Sequence, residues 1–471
     1  MDTIWQPSLL TGQGPKYKAV MQAIRDSIAA NSLMPGEKLP PVRDLAWKLG
    51  ITPGTVARAY TLLTDDGTLV AEVGRGTFVS APDHKEPLLR ELPIEVDSAT
   101  HNAEAQDDQV NLFSPHLPSV GQAGLIRQLL AEVAQDPPSG VMHYPTRVGG
   151  RPARAAAARW LASPMLGPVG ADDIVLAHGG QNAIMLIFQA VLRGRKPAVL
   201  VEELAYPGFR RAAELLRAEV IPVAMDEAGI LPEALEAAAR THDAQILCTS
   251  PEVHNPTCGY SPLARRQELA AIARRYDLQI LEDDCYRLGD AQAPTYRKLA
   301  PERSWYVSSL SKSITPALRF GIAVAPPGQA PTLRRTAEYA FFGLATPMTD
   351  LCAKLLDDPR LAPVASRARE EIGQYVRSAV NILGGYDLAW RADVPFLWLR
   401  LPTGWRAGAF VQAAETQGVR IRSAEEYASR DARVPHAVRF AINAGVSLSS
   451  FEAAIGRLRD LLDNPPELIG V

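Results

Sequence analysis

One short stretch, Ser309–Gly321, constrains the fold of this chain more than any other. It follows an apolar run that predicts a buried strand, so Lys312 would lie just beyond the carboxyl end of that strand, where open α/β sheets place ligands. A lysine that is desolvated at such a point can lose its proton and form a Schiff base. Ser309, Ser311 and Arg319 add hydroxyls and a fixed fork of N–H donors, which suit a phosphate group. We therefore expect an α/β sheet with a reactive lysine at its carboxyl edge.

Together these four side chains indicate pyridoxal phosphate (PLP). The stretch resembles the signature S-x-S-K-x-x-x-P-x-[LF]-R-x-G of fold-type I aminotransferases. The resemblance implies that Lys312 is the catalytic lysine, which holds the cofactor through its aldehyde, and that Arg319 binds its phosphate. Ser309 and Ser311 are cofactor-binding residues on the same ground. The alternative is a serine-rich loop with a solvated lysine.

From Val110 onward, short apolar runs alternate with amphipathic helical stretches. This alternation is typical of a mostly parallel sheet covered by helices. The last hundred or so residues add strand-like segments that predict a smaller α+β subdomain, at about residues 376–471. The predicted strands begin at Ile174, Ala198, Gln245, Gln279, Trp305, Phe396 and Val438.

Two further segments resemble the aminotransferase pattern around the cofactor. Gly179-Gly180-Gln181 opens a predicted helix whose free N–H groups can hold a phosphate. The family pattern here is S-G-[ST]-Q, so Gly180 replaces the usual hydroxyl, and backbone N–H groups and Gln181 would make the contact. Tyr206 matches the E-x-x-Y-x-G position, which implies that its ring stacks on the pyridine; packing in the core is the alternative.

The chemistry of the pyridine ring is implied by two more matches. Asn255 lies in a segment similar to P-x-x-x-N-P-T-G, where the amide bonds the phenolic oxygen, although Cys258 stands where the family has glycine. Asp283 and Tyr286 match the D-x-x-Y pair, in which a carboxylate keeps the ring nitrogen protonated and the tyrosine bonds the phenolate. Asp284 is the competing assignment for the carboxylate, and a merely acidic strand end is a third possibility.

Tyr144 and Arg439 complete the resemblance. Tyr144 is similar to the tyrosine that reaches the phosphate in the neighbouring subunit, which implies a homodimer. Arg439 matches the late arginine that clamps a substrate carboxylate, and an arginine inside an apolar strand needs a partner. A buried structural ion pair is the alternative role for Arg439.

The first eighty residues follow another pattern. Apolar positions at helical spacing predict a helix from Tyr17, and a second helix over Val42–Leu49 leads to a third, where Thr52 can cap and Pro53 suits the first turn. Two β-rich runs around Arg75 then read as a hairpin. This order predicts a winged helix, whose third helix can enter a major groove.

The same segment resembles the GntR-type winged helix through the stretches Pro35–Ala46, Thr55–Tyr60 and Gly74–Val79. The resemblance implies binding to double-stranded DNA. Many relatives have a basic residue where Pro53 stands, so the operator cannot be inferred from theirs, and a solvated helix face is the alternative for the arginines. The implied DNA contacts are Arg43, Thr52, Thr55, Arg58, Arg75 and Gly76.

These patterns predict three parts: a winged helix over 1–80, an acidic linker over 81–109 and a PLP-binding effector domain over 110–471. The net charge of −3 gives no overall case for nucleic acid. Four cysteines without a C-x-x-C pair favour reduced thiols in a cytoplasmic protein and argue against a metal site. No apolar run is long enough to span a membrane, so we do not expect the protein to bind a membrane.

A winged helix, a linker and an aminotransferase-like module in that order resemble the MocR subfamily of GntR regulators. The resemblance implies a transcriptional regulator that senses a small amino compound through PLP and forms a head-to-tail homodimer. One alternative is a working aminotransferase that carries a DNA-binding appendage. Another is a regulator that senses PLP itself, although such a sensor would not need Arg439 as a carboxylate clamp.

Overall fold

A computed structural model of the chain divides it into two units, Met1–Val96 and Asp97–Val471. The structure describes residues 15–72, 76–80, 109–140, 142–429 and 432–465. Arg75 and most of the predicted linker lie outside the described residues. None of the described helices is both long and apolar enough to span a membrane.

In its described residues, 15–72 and 76–80, the first unit contains three helices and a two-stranded antiparallel hairpin, in which Leu69 pairs with Val79. Its elements are α1 Lys16–Ala29, α2 Val42–Leu49, α3 Pro53–Asp65, β1 Leu69–Glu72 and β2 Gly76–Val79. The apolar faces of the three helices and the hairpin share one buried core, which includes Val20, Leu45 and Val56. This is the predicted helix, helix-turn-helix and hairpin, and the winged-helix prediction is confirmed.

The third helix begins as predicted at Pro53, but its capping differs from the expectation. Thr52 occupies the N-cap position without a side-chain bond to the helix backbone. Its hydroxyl lies 2.9 Å from the hydroxyl of Thr55 instead. A Thr–Thr contact on the exposed first turn therefore replaces the capping bond.

The second unit is α/β. Its strands are β3 Val110–Asn111, β4 Ile174–His178, β5 Ala198–Glu202, β6 Glu219–Val223, β7 Met225–Asp226, β8 Gly229–Ile230, β9 Ala244–Thr249, β10 Gln279–Asp283, β11 Ser304–Ser309, β12 Phe320–Val324, β13 Leu388–Ala389, β14 Phe396–Arg400, β15 Val419–Arg420, β16 Arg422–Ser423 and β17 Ala437–Ala441. Its helices are α4 Gln122–Gln135, α5 Arg151–Leu161, α6 Gly180–Val191, α7 Pro207–Leu215, α8 Pro232–Thr241, α9 Leu263–Arg275, α10 Tyr296–Leu299, α11 Ala330–Phe341, α12 Thr346–Asp357, α13 Leu361–Leu383, α14 Ala407–Thr416 and α15 Leu448–Asp463.

Seven of these strands form the main sheet in the order β4-β12-β11-β10-β9-β5-β6. All neighbouring pairs are parallel except those of β12, which runs antiparallel to both β11 and β4. The five strands predicted for this sheet are present, whereas β6 and β12 are additions to the prediction. Helices cover both faces, with one core beneath α6, α7 and α11 and another beneath α4, α5 and α12. The predicted fold class is confirmed.

A smaller four-stranded antiparallel sheet, β13-β14-β17-β16, forms the expected α+β subdomain with α14, α15 and the second half of α13. The strand β3 from the beginning of the unit pairs in parallel with β15, and Val110 and Leu112 enter the core of the subdomain. Residues next to the predicted linker are thus part of this subdomain. The candidate site lies at the carboxyl ends of strands β10 and β11, next to strand β17 of the subdomain.

Candidate functional site

The amino end of α6 and Arg319 lie against each other. Gly179 has a φ of 82°, and a Cβ atom built there would lie 2.8 Å from Nη2 of Arg319. The guanidinium therefore occupies space that any side chain at position 179 would fill. Arg319 itself has a φ of 48°, a conformation that non-glycine residues adopt at a cost and that recurs at ligand sites. Free helix N–H groups beside an exposed arginine form a suitable cradle for a phosphate.

Lys312 lies in the turn that follows β11. Its Nζ is 5.5 Å from the centroid of the Tyr286 ring. Within the described part of the chain it makes no hydrogen bond or ion pair, so its amine is available. The two serines before it are joined, with Ser309 Oγ 3.0 Å from Ser311 Oγ, and Ser309 Oγ also accepts a bond from the Ser311 N–H. These bonds hold the turn that presents the lysine.

Asp283 ends β10 and is buried. Its Oδ1 accepts a hydrogen bond from the backbone N–H of Cys285 at 3.1 Å. Burial raises the pKa of Asp283 to about 6, and hydrogen bonds from Cys285 partly oppose this rise. Burial also raises the pKa of Tyr206, with contributions from Tyr286, Asp283 and Cys285. These four side chains therefore form one cluster.

Asp284 has a different environment. Its Oδ2 accepts hydrogen bonds from Arg287 Nε and from the hydroxyl of Tyr306, both at 2.6 Å. Tyr306 belongs to the core on the side of α4, α5 and α12, opposite α6. Strand alternation thus turns Asp283 and Asp284 to opposite faces of the sheet, and Asp284 is occupied by a structural ion pair.

Asn255 lies in a buried loop, and its Oδ1 has no hydrogen-bond partner among the described residues. The loop turns at Cys258, which has a φ of 62° where the family pattern has glycine. The Cys258 thiol is buried and donates to the carbonyl of Phe396 at 3.3 Å. The left-handed turn is therefore kept without glycine, and packing against β14 offsets the backbone strain.

Gln181 faces α7. Its Nε2 donates to the Gly208 carbonyl at 2.9 Å, while its Oε1 is buried without a partner among the described residues. A Cβ atom at Gly208 would lie 2.0 Å from Gln181 Oε1 and 2.2 Å from Tyr206 Cε1. Gly208 therefore allows Gln181 and Tyr206 to pack closely.

Arg439 is 2% exposed and lies on β17. Its Nη1 donates to the Phe113 carbonyl at 3.1 Å and to the Tyr427 hydroxyl at 2.9 Å, and its Nη2 is 3.5 Å from the Tyr286 hydroxyl. Its Nε is buried with no hydrogen-bond partner among the described residues. No carboxylate in the described part of the chain pairs with this buried charge, so the alternative of a structural ion pair receives no support.

The side chains gathered here fit PLP. An anion cradle with Arg319 suits the phosphate, an available amine on Lys312 suits the aldehyde, and a buried carboxylate on Asp283 suits a protonated ring nitrogen. The unpaired Oδ1 of Asn255 marks a buried polar group that still lacks a partner among the described residues.

Tyr144 contacts none of the other candidate residues in the described part of the chain. It is 80% exposed, and its ring lies 5.9 Å from that of Phe342. Met142, Val148 and Tyr339, also strongly exposed, lie on the same two segments, 142–148 and 339–343. We call these five side chains the apolar patch.

Four of the six candidate DNA contacts, Arg43, Thr52, Arg58 and Gly76, are exposed, whereas Thr55 is half-buried and Arg75 lies outside the described residues. Arg43 is exposed on α2, and Thr52 is exposed at the start of α3. Arg58 is exposed on α3, with its guanidinium 4.4 Å from the centroid of the Tyr17 ring. Gly76 opens β2 with a φ of 122°, and the side chain of Lys38 passes over it.

Sequence reasoning missed three residues of the pocket. Phe113 and Tyr427 hold Arg439, and Cys285 contacts both Asp283 and the start of α6. No spacing signal marks Phe113 or Tyr427, because Phe113 reaches Arg439 from a distant part of the chain and Tyr427 belongs to no recurring motif. Cys285 lies inside the D-x-x-Y pair, at a position that this pattern leaves unspecified.

Two known families match the chain. Residues 108–458 match the family described as aminotransferase class I and II, and residues 16–79 match the bacterial regulatory proteins of the gntR family. The first match covers most of the chain. Among solved structures, an archaeal alanine:glyoxylate aminotransferase superposes with a TM-score of 0.68 at 22% identity, over 75% of this chain and 91% of that one. This likeness establishes the fold of the second unit.

Two of the relatives are named as regulators. The HTH-type transcriptional regulator YdeF of Bacillus subtilis is 27% identical over 98% of this chain and 97% of its own length. The HTH-type pyridoxine biosynthesis transcriptional regulator PdxR of Corynebacterium glutamicum is 30% identical over 66% of each chain. The chain therefore belongs to the aminotransferase class I and II family and, with its gntR-family unit, is a transcriptional regulator of the MocR subfamily.

Proposed function

We propose that this regulator binds PLP at Lys312 and responds to an amino acid that is recognised by Arg439. The single observation that carries the proposal is Arg439, a buried arginine without a carboxylate partner among the described residues, close to Tyr286 and hence to Lys312. A buried charge of this kind is costly unless a ligand pairs with it.

The proposed cofactor site uses residues from several strand ends. Arg319, Gly180, Gln181, Ser309 and Ser311 surround the phosphate. When bound, PLP supplies an aldehyde that exchanges between amines and a ring that withdraws electrons. The ring is held by four more side chains, namely Tyr206, Asn255, Asp283 and Tyr286.

The chemistry of Arg439 indicates the class of effector. A guanidinium has five N–H donors, and Nη1 and Nη2 use three of them on Phe113, Tyr427 and Tyr286. The two that remain are on Nε and Nη2, which share one edge of the group. An edge of two parallel N–H groups suits a carboxylate. We infer that the effector has both an amine, which reaches Lys312, and a carboxylate.

We also propose that the protein forms a homodimer, and the apolar patch supports this proposal. Large apolar side chains this exposed commonly mark an interface, and the patch includes Tyr144. In a two-fold dimer Tyr144 would contact the cofactor phosphate in the partner subunit, as the resemblance to aminotransferases implies. We further propose that Arg43, Thr52, Thr55, Arg58, Arg75 and Gly76 contact operator DNA.

A regulator that senses PLP alone is the second candidate, and the name of the Corynebacterium relative favours it. Arg439 argues against it, because a sensor of the cofactor needs no carboxylate clamp. The two candidates differ in what changes DNA binding once PLP is saturating.

The test is a spectral titration of the PLP-saturated protein with a panel of amino acids and matched amines, run beside mobility shifts on its own upstream DNA. The proposal predicts that at least one amino acid shifts both the visible spectrum and the DNA affinity, while its decarboxylated amine is much weaker. If no amino acid changes either signal and PLP alone changes DNA binding, the second candidate replaces the proposal.

A further inference from the structure

Gly180 is restricted by a neighbour and not by its own backbone. Its φ lies outside the left-handed region, so an L-residue could adopt the conformation. A Cβ atom built there would, however, lie 2.7 Å from the Sγ of Cys285, closer than real side chains approach. Gly179 differs, because its φ of 82° already favours glycine. At position 180, by contrast, a single neighbouring side chain decides what fits.

Cys285 joins two functional parts of the pocket. Its thiol lies against the first residue of α6, where the phosphate cradle begins. Its backbone N–H donates to Asp283 Oδ1 at 3.1 Å, and the neighbouring thiol lowers the pKa of that carboxyl. Burial raises the pKa of the Cys285 thiol well above its usual value, so the thiol is protonated at neutral pH and can donate. The neutral donor stabilises the ionised form of Asp283.

We propose that Cys285 is a positioning residue for the cofactor: its thiol takes the space of a side chain at position 180 and orients Asp283 at the same time. The inference rests on the proposed binding of PLP at Lys312. The phosphate is then bound by backbone N–H groups and Arg319, without a hydroxyl from position 180. Gly180 and Cys285 are consequently a matched pair, in which a side chain at position 180 requires a smaller residue at position 285.

A double-mutant cycle tests the pair in the full-length protein. The four proteins are the wild type, Gly180→Ser, Cys285→Ala and the double variant, and the readout is the equilibrium dissociation constant for PLP. In the wild-type background Gly180→Ser must displace the thiol, and we expect PLP binding to weaken about tenfold. In the Cys285→Ala background the space is open and a hydroxyl donor is gained. There the same substitution should leave PLP binding unchanged or make it tighter.

A second measurement separates positioning from mere packing. Because the neighbouring thiol favours the ionised carboxylate of Asp283, Cys285→Ala should shift the pH at which PLP binding is half lost to a higher value. Cys285→Ser keeps a donor and should restore the wild-type profile. Thermal unfolding of each apoprotein controls for folding. If Gly180→Ser alone fails to fold, folding and PLP binding by the double variant still show that the Cys285 thiol is what excludes a side chain at position 180, and a double variant that also fails to fold overturns the pairing.

The outcomes are distinct. Equal effects of Gly180→Ser in both backgrounds would overturn the pairing, and a Cys285→Ala pH profile identical to that of the wild type would overturn the role toward Asp283. In either case the wild type still binds PLP and the proposed function stands. If the wild type itself binds no PLP, the proposed function fails and the inference fails with it.

Discussion

The candidate residues of the two units differ in how firmly the protein holds them. In the aminotransferase-like unit, Asp283 and Arg439 are buried and are fixed by hydrogen bonds to neighbouring groups. In the winged helix, Arg43 and Thr52 are exposed, and Arg58 rests on one aromatic ring at the surface. The pocket is therefore built before its ligand arrives, whereas the DNA-facing side chains are free to adapt.

This difference predicts two kinds of response to mutation. A group that is buried and pre-placed has no substitute nearby, so its removal should abolish a property. An exposed cation makes one of several similar contacts with a phosphate backbone. Its removal should therefore lower DNA affinity only by the contribution of that one contact. Substitutions in the two units can test that contrast, beginning with the largest expected effect.

Lys312→Ala should remove the visible absorption of lysine-bound PLP completely. The fold should persist, because within the described part of the chain Lys312 makes no hydrogen bond or ion pair. Spectra in amine-free buffer and thermal unfolding check the two statements. A visible band in the variant equal to that of the wild type would mean that another residue holds the cofactor.

Arg439→Gln should weaken binding of the effector amino acid by about a hundredfold, because two charge-assisted hydrogen bonds are lost. PLP affinity should change little, since Arg439 belongs to the carboxylate end of the site. The matched control is an amine of the same size without a carboxylate, which should bind both proteins equally. Equal losses for the amino acid and the amine, measured by calorimetry, would remove Arg439 from effector recognition.

Asp283→Asn and Asp284→Asn should have different effects, the first on the affinity for PLP and the second on the stability of the fold. The first should weaken PLP binding by about tenfold or more, because only an ionised carboxylate stabilises the protonated ring. The second should keep PLP but lower the free energy of unfolding by about 3 kcal/mol, because it breaks the buried pair with Arg287. If the two variants exchange these effects, the assignment of the aspartates is wrong.

The pH dependence of this site follows from the pKa of Asp283, raised by burial from its ordinary 3.8 to about 6. The folded protein favours the protonated acid, so the stability contribution of Asp283 to the apoprotein is lost as pH rises from about 4 through 6. The pH dependence of PLP binding has the opposite sign, because the ionised carboxylate is needed, so PLP binding should weaken as pH falls through about 6. Asp283→Asn should remove this component of the PLP pH profile, which a titration of wild type and variant measures.

Changes in the winged helix should be graded, each lowering DNA affinity by the contribution of one contact. Arg43→Ala should weaken binding to all DNA sequences and reduce the slope of log affinity against log salt by about 0.9 for each phosphate that the arginine neutralises. Arg58→Ala should cost about 1 to 3 kcal/mol at the operator and little elsewhere, if it reads a base. Binding isotherms on operator and scrambled DNA over a salt series distinguish them. A uniform loss for Arg58→Ala would make it a phosphate contact.

The same contrast explains how much of the molecule the sequence could predict. Five strands of the main sheet follow from short apolar runs, and the winged helix follows from its helical spacing. Strand β12 escapes prediction because Phe320–Val324 overlaps the end of the signature around Lys312 and has no separate boundary in the sequence. Its antiparallel pairing with β4 depends on distant contacts that no local pattern encodes.

Within the candidate site, motif spacing identifies the candidate ligand-binding residues but not the residues that support them. Phe113 and Tyr427 reach Arg439 across more than 300 residues and across 12 residues, respectively, without a recurring pattern. The sequence also does not decide whether Asp283 or Asp284 is the carboxylate beside the ring nitrogen. Their environments become distinct only in three dimensions, where strand alternation turns them to opposite faces of the sheet. Cys258 replaces the glycine of the family pattern, yet the left-handed backbone is kept.

The central claim is that an amino acid bound in the pocket changes how the protein binds DNA. The most direct measurement is operator affinity of PLP-loaded full-length protein with and without the amino acid that shifts its spectrum, compared with Lys312→Ala. A coupling between two sites requires that the ligand bind one arrangement better than another. We predict a reproducible shift in affinity or DNA bending for the wild type and none for Lys312→Ala. An equal shift in both proteins, or rapid turnover of the amino acid without any effect on DNA, would contradict the account.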